Sequence, residues 1–301
     1  MTAAPHSSAV PPQSSYRLAM AALVLGALTI GAAPILVRLS ETGAAATGFW
    51  RMIFALPLLG VMSLRGGAGG GGRPGRASVM AGLMFALDLA CWHYGIRFTS
   101  VANATVLPNL TPVLVTLAAW IFLRERPRGV FLIGMAVAVS GSVIMALANS
   151  GAGATGTRPH LGDFLSAATA VWYGAYFLSV RRARQTQSAT RVMTWSTLVA
   201  APLLLVIALL LHERVLPATL AGWAPLAGLG VAHVVGQGAI AWALGRLPTA
   251  TAALVALVQP VAAALLAWLI FSETLSPLQA VGGALALGGV VLAQARKPAG
   301  A

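Results

Sequence analysis

Pro112, Trp120, Glu125, Gly134 and Gly141 recur without a gap 148 positions later as Pro260, Trp268, Glu273, Gly282 and Gly289. The chain is a tandem duplication, and self-similarity at a fixed period constrains the fold before any local preference does. Further matches extend it upstream: Gly31 and Arg38 with Gly174 and Arg181, Trp50 and Pro57 with Trp195 and Pro202, and Gly82 with Gly228. The offsets drift smoothly through 143, 145, 146 and 148, as small differences in loop length between two copies produce. Residues 101 to 145 share 13 identities in 45 with their partners. The Pro, Trp and Glu matches carry the case, because Ala on Ala says little in so alanine-rich a chain.

Each copy holds five apolar spans. With 58% hydrophobic and 8% charged residues and a mean hydropathy of +0.84, the chain has more apolar surface than a soluble core can hide, so a bilayer must act as solvent. A helix crosses hydrocarbon about 30 Å thick with roughly 20 residues. Ten stretches qualify, approximately 18–38, 44–64, 77–97, 102–123, 129–147, 162–181, 190–211, 220–244, 249–271 and 277–295. Runs such as Ala200 to Leu211 are continuously apolar, unlike the alternating strands of a transmembrane barrel. The predicted fold is all-α and integral to the membrane, with ten transmembrane helices in two five-helix repeats around a central cavity. An odd number of crossings turns the second copy upside down, which is a layout of secondary transporters. The expected divisions are a disordered cytoplasmic tail over 1–17, the first repeat over 18–148, a linker over 149–161, the second repeat over 162–295 and a short tail over 296–301. The first seventeen residues lack the basic start, short apolar core and small-residue cleavage site of a signal peptide.

A formal charge of +13 suggests nucleic acid in a soluble protein, but its placement argues otherwise. With the N-terminus inside, cytoplasmic segments collect 14 Lys and Arg and the opposite side four, Arg38, Arg97, Arg158 and Arg214. That bias is an insertion signal: both termini are expected in the cytoplasm, and no nucleic-acid partner is expected. Richness in Ala, Gly and Arg with a single Lys points to a GC-rich prokaryotic genome and a bacterial inner membrane. Cys91 is the lone cysteine, which excludes an internal disulfide and a cysteine metal cluster. The glycine run from Gly66 to Gly75 lacks the Gly-Lys-Ser/Thr ending of a phosphate cradle. No cofactor or metal is expected. The expected partners are a small-molecule substrate and the lipid bilayer, with the oligomeric state open and a monomer plausible.

The run Gly95-Ile-Arg-Phe-Thr-Ser-Val-Ala-Asn-Ala, followed by Leu110-Thr-Pro-Val-Leu and Ala119-Trp-Ile-Phe-Leu-Arg-Glu125, resembles the signature of the EamA-type repeats of the drug/metabolite transporter superfamily. Leu247-Pro-Thr-Ala-Thr-Ala-Ala, Val258-Gln-Pro-Val and Ala267-Trp-Leu-Ile-Phe-Ser-Glu273 resemble it again, so nearly the whole chain is covered. The resemblance implies two inverted five-helix halves and export of amino acids or other small metabolites. Within the superfamily the chain looks most like the YddG-type exporters of aromatic and other amino acids.

An ionised side chain in hydrocarbon costs roughly 2.5–3.5 kcal/mol on insertion scales, so one at mid-span needs a partner, a wet cavity or a proton. Asp88 is the only acid at such depth; the other five lie near span ends or in loops. Helical spacing puts Asp88, Trp92 and Gly95 on one stripe, with His93 and Tyr94 opening an adjacent face. An acid beside aromatic rings suits a substrate ammonium by charge and cation–π attraction; the competing reading is a buried acid bonded to neighbouring helices. His233 and Gln237 share a face of the eighth span, and Asp88 and His233 are the candidates for proton coupling. Trp172, Tyr173 and Tyr176 cross the centre of the sixth span, where aromatic polar groups suit a ligand pocket or ordinary packing. Pro108, Pro112 and Pro260 sit at mid-membrane, where each frees a carbonyl; they are candidate hinges for alternating access. Asn109, Thr111 and Gln259 beside them are placed to satisfy those carbonyls or to line a site. Pro34 and Arg51 are weaker cases, Arg51 being read as snorkelling from near a span end. Glu125 and Glu273 close their spans and are read as structural.

The function expected is alternating-access export of amino acids without nucleotide hydrolysis. Rival readings are an exporter of drugs, purine-like or thiol metabolites on the same scaffold, and a structural membrane protein without transport. An intramembrane enzyme would need a Ser/His pair, two mid-membrane aspartates or a His-Glu-x-x-His site, and the sequence has none.

Overall fold

The computed structural model describes residues 13–65, 73–99, 107–148, 158–272 and 275–295. Glu273, the glycine run before residue 73, the signature residues 100–106, the linker residues 149–157 and both tails beyond 13 and 295 lie outside the described residues. Within them the chain is helical, without a strand: α1 (Gln13–Gly31), α2 (Ala33–Arg38), α3 (Ala44–Arg65), α4 (Arg76–Phe98), a 3-10 turn (Pro108–Leu110), α5 (Thr111–Leu123), α6 (Gly129–Ala148), α7 (Pro159–Ala183), α8 (Ala189–Leu210), α9 (Trp223–Ala232), α10 (Gly238–Leu244), α11 (Thr249–Val255), α12 (Val258–Phe271) and α13 (Pro277–Ala293). In lipid, helices satisfy every backbone polar group within the segment, so long apolar runs have little alternative.

Seven helical segments are long and apolar enough to cross a membrane, and Pro108–Leu123 and Pro277–Ala293 are shorter apolar helices. The sequence had suggested ten spans. The fourth stretch falls short because 100–106 lie outside the described residues, the tenth because its helix, starting at Pro277 as expected, already stops at Ala293, and the sixth, α7, because Asp163, Arg181 and Arg182 lower its hydropathy. Many large apolar side chains face outward, including Trp120, Phe122, Ile133, Trp268, Leu269 and Val291. Such a surface belongs in lipid. The protein is a multi-pass membrane protein.

Three segments are interrupted, each for a local reason. Ala32 separates α1 from α2, with Pro34 in the first turn of α2. Ala256 and Leu257 separate α11 from α12, and Pro260, which has no N–H to return to the carbonyl of Ala256, sits just beyond. Between α9 and α10 the backbone widens into a π turn at His233–Gln237. Such turns add a residue to a helical circuit and often mark functional positions.

The repeat-related glycines set the tightest approach. A methyl on Gly141 of α6 would meet the backbone carbonyl of Gly282 of α13 at 2.6 Å, and one on Gly282 would meet the carbonyl of Gly141 at 2.7 Å. Gly134 likewise lies against Ala293, Gly282 against Met145, and Gly289 against Ala138 and Gly134. The two helices run antiparallel, and small residues let their backbones touch. Elsewhere α4 lies between α7 and α8, α3 packs on α8 and α9, α1 on α10 and α12, and α5 on α7 and α11.

Hydrogen bonds tie the bundle at both ends. At the end where α1 begins, Tyr16 donates to Gln294, Ser78 to Gln187, and Arg184 to the carbonyls of Ala241 and Gln187. At the far end Gly43 N–H donates to Arg214 O, Trp50 Nε1 to Val215 O, and Arg158 N–H to Phe98 O. Of these, the bonds of Ser78 with Gln187, Gly43 with Arg214 and Trp50 with Val215 join residues of one copy to residues of the other.

Candidate functional site

Between these ties lies a buried group of polar and aromatic side chains from both copies. Phe85 and Asp88 stand one turn apart on α4. The Phe85 ring lies 4.8 Å from that of Tyr176 on α7 and 5.3 Å from that of His233 in the π turn, centre to centre. Tyr173 and Tyr176 stack in parallel at 6.0 Å. Gln259 of α12 donates to the Tyr173 hydroxyl at 3.3 Å, and the Tyr176 hydroxyl reaches Gln237 at 3.5 Å. Thr197 of α8 shares a 3.0 Å hydrogen bond with His233 Nε2, while His233 Nδ1 has no hydrogen-bond partner. Asp88 is 7% exposed, and Tyr176, His233 and Gln237 are as deeply buried. Asp88, Tyr173, Tyr176, His233, Gln237 and Gln259, singled out by depth along separate spans, are thus brought to one place.

The group has a member that the sequence reading placed elsewhere. Arg51 of α3 is 3% exposed and does not snorkel to a membrane surface; its guanidinium carbon lies 5.5 Å from the centre of the Phe85 ring. It interacts electrostatically with Asp88, Tyr173 and Tyr176. Its Nε and Nη2 have no hydrogen-bond partner. Seven residues into α3 corresponds to about 10 Å of rise, and α4 and α8 packed over that face turn the side chain inward. The sequence carried no signal for this: at the local repeat offset Arg51 aligns with Ser196, which is uncharged.

Other candidates lie apart. His93 Nδ1 bonds the carbonyl of Ala44 at the start of α3 at 2.9 Å, and the Trp92 ring lies tilted against that of His93, 5.1 Å centre to centre. Trp172 bonds Cys91. Asn109 lies in the 3-10 turn, with a buried Nδ2 lacking a partner. Pro108 begins that turn and Pro112 falls in the first turn of α5, where a missing N–H costs little. The Thr111 hydroxyl takes the Pro108 carbonyl at 2.7 Å and Thr116 takes that of Pro112 at 2.6 Å.

The acids at the bundle ends are anchored. Glu213 accepts from the backbone N–H groups of Ala45 and Ala46, at 3.2 and 2.9 Å, and from the Tyr94 hydroxyl, capping the start of α3. Glu41 accepts from the N–H groups of Ala218 and Thr219 and from the Thr219 hydroxyl. The Thr219 hydroxyl and amide hold the Glu41 carboxyl below its ordinary range. Glu125 accepts from Thr249 N–H at the start of α11 and faces Arg181 Nε at 3.8 Å. Among the described residues no set of three His, Cys, Asp or Glu side chains is placed to hold a metal ion.

Residues 17–147, and again 160–294, match the model of the EamA-like transporter family. The chain is 27% identical over 208 residues to the pseudopaline exporter CntI of Pseudomonas aeruginosa, covering 69% of this chain and 70% of that one. It is also 27% identical to a probable terminal-alkyne amino-acid exporter of Streptantibioticus cattleyicolor, over 68% of this chain and 67% of that protein. A solved crystal structure superposes with a TM-score of 0.78 at 19% identity, over 93% of this chain and 97% of the other, a likeness of fold.

Proposed function

Because the chain belongs to the EamA-like transporter family, we propose that it is a secondary transporter exporting amino acids, aromatic and apolar ones among them, from the cytoplasm across a bacterial inner membrane. Ten crossings in two inverted halves carry it, with both termini cytoplasmic. The reciprocal contacts of Gly141 with Gly282, Gly134 with Ala293 and Gly282 with Met145 support that inversion, since residues related by an internal two-fold must contact one another in matched pairs.

One observation carries the functional reading: a carboxylate, aromatic rings, amides and an imidazole from both copies converge inside the bundle, Asp88, Tyr176, His233 and Gln237 buried and Tyr173 and Gln259 half-buried. Asp88 attracts the substrate ammonium, the rings of Phe85, Tyr173 and Tyr176 offer faces to an apolar or aromatic side chain, and Gln237 and Gln259 supply orienting hydrogen bonds. A site shared between repeats is where rocking of one half against the other changes exposure from side to side. The break before Pro260 and the 3-10 turn from Pro108 into Pro112 absorb the bending, and Asp88 and His233 couple substrate movement to protons. Two relatives whose names specify export, one of them of an amino acid, support the substrate class. Purified protein in proteoliposomes should show saturable amino-acid counterflow, and its absence would remove the assignment. An Asp88→Asn variant that transports with unchanged pH dependence would remove Asp88 from coupling.

A further inference from the structure

The side chain that this reading leaves unused is Arg51. A buried guanidinium is costly unless its N–H groups are bonded, yet Nε and Nη2 have no partner at 3% exposure. These two nitrogens share one edge of the planar group, the edge that receives both oxygens of a carboxylate side-on in bidentate pairing. Asp88 is close enough to balance the charge electrostatically but does not bond that edge. The Phe85 ring, 5.5 Å from the guanidinium carbon, holds the cation by its face. The open edge and the carboxylate of Asp88 therefore offer opposite charges to one buried group of rings.

Resting on the amino-acid export reading, we propose that Arg51 anchors the carboxylate of the transported molecule while Asp88 receives its ammonium, so that the substrate class is the free α-amino acid and not its amide, ester or decarboxylated amine. A conserved side chain type on the substrate is not needed for this; the two charged ends define the class. Lysine cannot replace the arginine fully, because a point charge lacks the fork.

The test uses full-length protein in proteoliposomes, with each of the twenty amino acids, its carboxamide and its decarboxylated amine as competitors in counterflow and as ligands in thermal unfolding. In the native protein the free acid should outcompete its amide and amine by about 10- to 100-fold, the range of a charged hydrogen bond. In Arg51→Gln that preference should shrink to about twofold or less, and Arg51→Lys should fall between. Unfolding temperatures without ligand separate loss of recognition from loss of fold. Should Arg51→Gln fail to fold, the native protein's analogue series decides alone. Equal competition by acid and amide in the native protein, or full preference retained in Arg51→Gln, overturns the role of Arg51 while export stands. No transport or stabilisation by any of the three series overturns both.

Discussion

At the ends of the bundle, Glu41, Glu125, Asp163 and Glu213 are each bonded to a backbone amide, a hydroxyl or an arginine; at the centre, Arg51 and His233 keep open N–H or ring nitrogen positions in deeper burial. A chain that folds for stability alone would do the reverse, since an unpaired polar group costs most where water is excluded. The ends hold the helices in register. The centre carries unspent bonding capacity, the kind of cost that proteins retain where function requires it.

That contrast orders the expected effects of substitution. Asp88→Ala leaves the buried Arg51 charge without its compensating acid and should cost about 3–5 kcal/mol of stability, with counterflow lost. The Arg51→Gln, Asp88→Asn double variant should be more stable than the two single losses added together, by at least about 1 kcal/mol in a double-mutant cycle. Strict additivity would break the contrast at its centre. Glu213→Gln removes a charged acceptor from the α3 amides and from Tyr94 and should cost about 1–3 kcal/mol by denaturation, while transport per folded molecule stays within about threefold. Glu125→Gln, at a partly exposed ion pair, should cost about 1 kcal/mol or less. An end variant that stops transport without destabilising the protein would erase the distinction.

The smallest effect is a pH dependence. Glu41 has its native titration lowered by the Thr219 bonds, so its contribution is present above the ordinary glutamate range and is lost as pH falls through the native value. Glu41→Gln should flatten the acid limb of the thermal unfolding curve in that window, lowering stability slightly at neutral pH and leaving it nearly unchanged at the acid end.

Depth along a span was readable from the sequence, because burying Asp88 or His233 amid apolar residues is informative wherever the helix faces. Direction was harder. Trp92 and His93 share α4 with Asp88, yet a shift toward the helix end carries His93 to the Ala44 carbonyl. Arg51 was misjudged for the converse reason: it stands near a span start, but its face is covered by α4 and α8, and only tertiary packing decides which way a long side chain turns. The break before Pro260 was legible because proline lacks an N–H. The π turn at His233–Gln237 was not, since an extra residue in a helical circuit has no composition of its own. The pairing of α6 with α13 was implicit in the repeated glycines, whose spacing marks a small face without naming its partner.

The central claim is that the group around Asp88 and Tyr173 is a substrate site that opens to water during transport. With Cys91 replaced by Ser, a Tyr173→Cys variant reconstituted in liposomes can be labelled with a small membrane-impermeant thiol reagent, with and without the amino acid that drives counterflow. Labelling that saturating amino acid slows by about tenfold or more is the predicted result. A thiol that never reacts, or reacts at the same rate with the amino acid present, would contradict it.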